Sequence, residues 1–102
     1  MNSHGKGSDR GAALYQALLT LKTPEECYAF LEDLCTVSEQ MAMEQRFEVA
    51  MLLDQGSIYS DVLEKTGVSS ATVSRVKRSL NYGSGGYRTV LDRYQKEMEE
   101  TQ

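Results

Sequence analysis

Between Ser57 and Leu80 the chain carries two short apolar-periodic stretches around one glycine, a pattern that few folds accommodate. Val62 and Leu63 precede Gly67, Val68 follows it, and Val73, Val76 and Leu80 recur at i, i+3 and i+7, the spacing of one helical face. Gly67 supplies a residue that can adopt positive φ where the chain must turn sharply. Ser69 is placed as an N-cap, its hydroxyl available to the free amides of the next turn. The spacing predicts helices over Ile58–Lys65 and Ser70–Asn81, packed through Val62, Leu63, Val68, Val73, Val76 and Leu80. That is the layout of a helix-turn-helix, spanning 57–81.

The outward face of the second helix then reads Ser70, Ala71, Ser74, Arg75, Lys77 and Arg78. Small side chains at its start let the backbone come close to base edges. Arginines one turn later have the reach and the forked donors for guanine O6 and N7. Ser69, Thr72 and Lys77 are placed for phosphates, which position a protein without reading sequence. The plainer reading is a solvated helix with an ordinary basic face. Charge distribution argues against it. The chain has a net charge of −4, unlike a general polyanion binder. Yet residues 1–64 hold eleven acids against Lys6, Arg10, Lys22 and Arg46, whereas Lys65 to Leu91 hold five bases and no acid. The positive field is local and falls on the second helix.

At 102 residues the chain has room for one domain and one core. One proline and no strand-like alternation predict an all-α fold of six helices. Residues 1–9, rich in glycine and serine and holding the lone His4, read as a disordered lead. A single helical domain is expected over 10–99, with a frayed acidic tail at 100–102. A first helix is expected from Arg10 to Leu21, with Leu14, Ala17, Leu18 and Leu21 on its apolar stripe. A second follows Thr23-Pro24-Glu25-Glu26, a capping-box start, and runs to about Leu34, burying Cys27, Phe30, Leu31 and Leu34. Thr36 and Glu39 repeat the start signal. The third helix, Ser38 to about Gln55, is apolar on too many sides for one stripe, carrying Met41, Met43, Phe47, Val49, Met51, Leu52 and Leu53. It reads as the spine of a homodimer. Gly56 is expected to end it, with Ser57 capping the next helix. Beyond a flexible link at 81–86, a sixth helix from about Tyr87 to Glu99 places Val90, Leu91, Tyr94 and Met98 together.

Cys27 and Cys35, eight apart with no histidine near, do not make a metal pair, and two turns of helix between them suit a disulfide poorly. They read as reduced, partly buried thiols of a cytoplasmic protein. No apolar run reaches membrane-spanning length. No carboxylate pair, Ser/His or Cys/His arrangement or phosphate-cradling loop points to catalysis; Gly83, Gly85 and Gly86 follow a helix rather than a strand.

Thr36-Val37-Ser38-Glu39, Gln45-Arg46-Phe47-Glu48-Val49-Ala50-Met51-Leu52 and Gly67-Val68-Ser69-Ser70-Ala71-Thr72-Val73-Ser74-Arg75-Val76-Lys77-Arg78 together resemble the Trp repressor family. The likeness covers roughly Leu34 to Leu80 and is closer to the Trp-repressor-like proteins of Gram-positive bacteria (the YerC/YecD type). It implies an intertwined homodimer of six helices per subunit, a transcriptional regulator binding double-stranded operator DNA through helices four and five. It also implies a corepressor site: Thr36, Arg46, Arg75 and Ser79 stand where the family holds its amino acid. Val76 departs from the pattern, standing where the family has the glycine that leaves room for the indole. The first reading is therefore no effector at all; a smaller effector is compatible with these residues, and L-tryptophan is a poor fit. Each matched residue also has a plain role: Thr36 as an N-cap, Arg46 paired with Glu39 or Glu48, Arg75 on DNA. The reading from another class is a protein-interaction adaptor that keeps the helix-turn-helix shape without DNA, favoured by the acidic first half and tail.

Overall fold

A computed structural model of the protein describes residues 10–101. Those residues form six helices and no strand: α1 (Ala12–Leu18), α2 (Pro24–Leu34), α3 (Val37–Asp54), α4 (Tyr59–Thr66), α5 (Ser70–Tyr82) and α6 (Gly86–Glu100). The all-α expectation holds. The expected lead over 1–9, His4 included, lies outside the described residues. Two compact units divide the chain, one ending at Gln40 and one beginning at Met41.

In the first unit the helix boundaries are set by local chemistry. Gly11, at φ +72°, precedes α1, so this helix starts later than Arg10. It also stops before Leu21, because Leu19, Thr20 and Leu21 donate their amides three residues back and wind the chain too tightly to continue. Of the expected stripe, Leu14 and Leu21 are half-buried, while Ala17 and Leu18 are exposed. Thr23 caps α2: the Glu26 amide donates to Thr23 Oγ1 at 3.1 Å. The reciprocal bond is shifted by one residue, since the Glu26 carboxylate accepts from the Lys22 amide rather than from Thr23. At α3 the box is complete, with Glu39 N–H to Thr36 Oγ1 at 3.1 Å and Thr36 N–H to Glu39 Oε1 at 2.8 Å. The α2 expectation fails in its burial. Phe30 and Leu31 are half-buried, but Cys27 and Leu34 are exposed, and neither α1 nor α2 contains a buried residue. Both cysteines are free thiols, Cys35 half-buried. Gln40 is the buried polar side chain of this unit, its amide donating to the Tyr28 carbonyl at 3.4 Å.

The second unit holds the core: Val49 and Ala50 from α3, Val62 from α4, Val73 and Val76 from α5, and Leu91 from α6. Around it Phe47, Leu63, Val68 and Leu80 are half-buried, and Phe47 meets Tyr94 edge-to-face at 6.2 Å. α3 ends in a paired glycine cap. Ser57 N–H reaches the Leu52 carbonyl and Gly56 N–H the Leu53 carbonyl, with Gly56 at φ +91°. α4 begins one residue later than a Ser57 cap requires: its N-cap is Ile58, whose side chain cannot accept an amide. α5 runs one residue past Asn81 to Tyr82, and the link shrinks to residues 83–85. Gly83 closes α5 with its amide on the Ser79 carbonyl at 2.9 Å, and a Cβ at that position would collide with the same carbonyl. Of the four apolar residues expected together on α6, Leu91 is buried, whereas Val90, Tyr94 and Met98 are each at least 40% exposed.

Candidate nucleic-acid interface

α4 and α5 form the expected pair. Gly67 ends α4 at φ +71°, and Ser69 opens α5 by accepting the Thr72 amide at 3.1 Å. Ser69 and Thr72 also share a hydroxyl–hydroxyl hydrogen bond of 3.1 Å. Val62, Val73 and Val76 are buried, with Leu63, Val68 and Leu80 half-buried beside them, so the whole predicted inner set comes together.

Two residues that sequence reasoning passed over tighten this pair. Thr66 is buried; its hydroxyl donates to the Val62 carbonyl at 2.7 Å and accepts the Val68 amide at 3.4 Å, bracing the turn from within. Its place four residues after Val62, on the inward face of α4, is the signal that could have found it. Tyr59, at the start of α4, donates its hydroxyl to the Ser70 carbonyl at 3.5 Å, which brings a phenol to the first turn of α5. That bond bridges eleven residues and leaves no mark in the helical periodicity.

Ser70, Ala71, Ser74, Arg75, Lys77 and Arg78 are all exposed on α5, as the pattern requires. Among the described residues the ion pairs are those of Arg88 with Asp54 and Asp92. Arg75, Lys77 and Arg78 are thus cations without a carboxylate partner among those residues, and the acid-free sequence around them is the cause. Such a face offers charge and hydrogen-bond donors to an anion without first breaking an internal bond.

Of the four residues aligned with a corepressor site, Arg46, Arg75 and Ser79 belong to the second unit and line two clefts there. Arg46 and Arg75 line one cleft of about 170 Å³, with Ala42, Gln45, Val68 and Thr72. Arg46 pairs with neither Glu39 nor Glu48. Ser79 instead lines a separate, more open cleft of about 460 Å³ with Phe47, Gly83, Tyr87 and Val90. Thr36 belongs to the first unit, where its hydroxyl caps α3. Val76 is 2% exposed and committed to the core.

The sequence profile of the Trp repressor protein family matches residues 11–95. The chain belongs to that family. YerC of Bacillus subtilis, a member whose role is uncharacterised, is 50% identical over 80 residues, 78% of this chain and 77% of its own length. A Staphylococcus aureus crystal structure, provisionally named a Trp repressor, superposes with a TM-score of 0.80 at 46% identity, covering 91% of this chain and 96% of that one. A TrpR-like protein from Eubacterium eligens gives 0.81 at 47% identity, covering 89% and 96%. The Trp repressor fold therefore extends well beyond the motif at 57–81, through α1 and most of α6. Membership also makes DNA-binding regulation, rather than catalysis, the family's line of work, and no helix among the described residues is long and apolar enough to cross a membrane.

Proposed function

We propose that the protein is a sequence-specific transcriptional regulator that binds a roughly palindromic operator as a homodimer in the cytoplasm. The observation that carries this reading is the exposed face of α5, where Arg75, Lys77 and Arg78 stand free of carboxylates behind the small side chains of Ser70, Ala71 and Ser74. Arg75 and Arg78 read bases, Lys77 and the hydroxyls of Ser69 and Thr72 hold phosphates, and Ser70, Ala71 and Ser74 permit the close approach. Two such helices related by a two-fold axis sit about 34 Å apart, on successive major-groove faces.

A dimer is supported by apolar surface that the single chain leaves open. Val90, Tyr94 and Met98 on α6 and Met41 on α3 are all exposed, and Met51, Tyr94 and Met98 border an open groove of about 540 Å³. Asp54, Gln55, Gln95 and Glu99 line the same groove, and this mixture of apolar and polar side chains is the make-up of a protein–protein interface. Effector control belongs to the Arg46–Arg75 cleft. At about 170 Å³ it is smaller than the roughly 300 Å³ at which drug-sized pockets begin. With Val76 held in the core, a compact carboxylate suits it better than L-tryptophan.

Selecting bound duplexes from a random pool, with and without a panel of amino acids, tests the whole reading. A symmetric site should emerge. Arg75→Ala and Arg78→Ala should each cost about 1–3 kcal/mol on that site and much less on random DNA. Lys77→Ala should weaken both and lower the salt slope by about 1 for each phosphate it no longer neutralises. Wild-type affinity in the double arginine variant would sink the groove assignment, and no retention of any duplex at physiological salt would favour a protein-interaction adaptor.

A further inference from the structure

Asp54 and Arg88 each occupy the helix end that disfavours their charge. Asp54 is the last residue of α3, where the carbonyl end of the helix repels a carboxylate, and Arg88 is the third residue of α6, where the amide end repels a guanidinium. Each is tolerated through the other. Arg88 donates from Nη1 to Asp54 Oδ1 at 2.8 Å and from Nη2 to Asp54 Oδ2 at 2.9 Å, a fork on a fork. Gln95 adds a bond from Nε2 to Asp54 Oδ2 at 3.0 Å, and Arg88 Nε donates to Asp92 at 3.0 Å. The bonds from Arg88 hold the Asp54 carboxyl below the usual carboxylate range, against the opposing effect of its burial. Among the described residues, Arg88 is the one cation of the acid-free run that is turned to an internal partner.

This cluster sits behind the docking face. α5 packs against both α4 and α6. α6 buries a single side chain, Leu91, which joins Val73 and Val76 of α5 in the core. Half-buried Tyr87 packs against the same core and Tyr94 meets Phe47 of α3 edge-to-face, but apolar contacts of this kind define an angle less sharply than a forked ion pair does. The link of Gly83, Ser84 and Gly85 is too short and too permissive at Gly85, at φ +91°, to fix one. A bidentate ion pair is directional, and Asp54 is anchored at the end of α3, the longest of the six helices. We propose that Asp54, Arg88 and Gln95 are positioning residues for DNA recognition: they lock α6 to the end of α3 and thereby set the angle at which α5 meets the groove. The proposal rests on the DNA-binding reading above.

Two duplexes test it: the site that the wild-type protein recovers from a random pool, and a shuffled version of it. Asp54→Asn keeps the shape of the side chain and removes the charge that holds the fork. Circular dichroism at the assay temperature should show the variant folded. Its affinity for the recovered site should fall about tenfold, as for the loss of a charge-assisted bond. Its affinity for the shuffled duplex should stay within about twofold, with the salt slope unchanged, because no phosphate ligand is touched. Arg88→Met combined with Asp54→Asn should lose no more than Asp54→Asn alone, since the two act as one unit. Were Arg88 itself a phosphate ligand, Asp54→Asn would release it, both affinities would rise and the salt slope would steepen. That result overturns the proposal, as does wild-type affinity in Asp54→Asn. If Asp54→Asn unfolds, Arg88→Lys, which keeps the charge and gives up the fork, must show the same selective loss to a smaller degree. Failure of the wild type to recover any site would remove the DNA reading itself, and the positioning role with it.

Discussion

The two units of the chain both expose apolar side chains, and they differ in which of them also builds a buried core. From Met41 onward, Val49, Ala50, Val62, Val73, Val76 and Leu91 are withdrawn from water around one core. Up to Gln40, α1 and α2 bury nothing, and Leu19 and Val37 are 80% and 74% exposed. The contrast does not come from weaker local signals. Thr23 and Thr36 cap their helices with the same 3.1 Å bonds that Ser69 makes for α5. But helices of seven and eleven residues are marginal in water however well they are capped, and burial of an apolar face is what holds them. The second unit builds a core behind the helix-turn-helix yet leaves Met41, Val90, Tyr94 and Met98 exposed, and α1 and α2 of the first bury no side chain. On the homodimer proposed above, a second copy of the chain would cover what both leave open.

The hardest test of that contrast is a charge placed on the open apolar face. Leu34→Glu should raise the dissociation constant of the homodimer by roughly a hundredfold or more, because the carboxylate would have to be buried unpaired. Sedimentation across a dilution series reads it directly. An unchanged dimer would mean that Leu34 faces water in the assembled protein too, and that the first unit is held by something else.

Val73→Ala makes the complementary change in the closed core. Removing two methyl groups where the side chain is fully buried should cost about 2 kcal/mol, by transfer and by the cavity left behind. Urea unfolding at fixed protein concentration measures it. A loss below about 0.5 kcal/mol, the size expected of a surface change, would mean that the core is looser than the packing suggests.

How much of this was legible in the sequence follows the range of each interaction. The turn at Gly67, the cap at Ser69 and the spacing of Val73, Val76 and Leu80 along α5 act over one to seven residues, and pattern alone places them. The free basic face follows from local composition in the same way. Asp54 and Arg88 stand thirty-four residues apart and Tyr59 and Ser70 eleven apart, and nothing in either neighbourhood announces its partner. Ser57 illustrates a different failure: it has the right chemistry for a cap, but the cap position falls one residue later, on Ile58. Leu34 and Cys27 illustrate a third, since periodicity tells which side of a helix is apolar and is silent on what covers it. The alignment of Thr36, Arg46, Arg75 and Ser79 to one site was legible as residue types. The placing of Arg46, Arg75 and Ser79 in two clefts was not, because it depends on how α3, α5 and the glycine link close around Phe47 and Val68.

The smallest expected effect is also the one that separates stability from docking. Thr36→Ala and Ser69→Ala each delete a hydroxyl that accepts one amide at 3.1 Å, so each should cost about 1 kcal/mol of stability. Thr36 retains its backbone bond to Glu39 after the substitution, and Ser69 has no reciprocal partner, which places Ser69→Ala at the upper end. The two should differ more on DNA. Thr36 lies in the unit without a docking face, so Thr36→Ala should leave the affinity per folded dimer as it was. Ser69 opens α5, and on the docking proposed above its hydroxyl and that of Thr72 would meet a phosphate, so Ser69→Ala should weaken specific and random duplexes alike by a few fold, on the order of a single hydrogen bond. Mobility shifts at matched folded concentrations make the comparison. Equal binding by the two variants would reduce Ser69 to a cap and leave Thr72 and Lys77 as the phosphate anchors assigned to the helix.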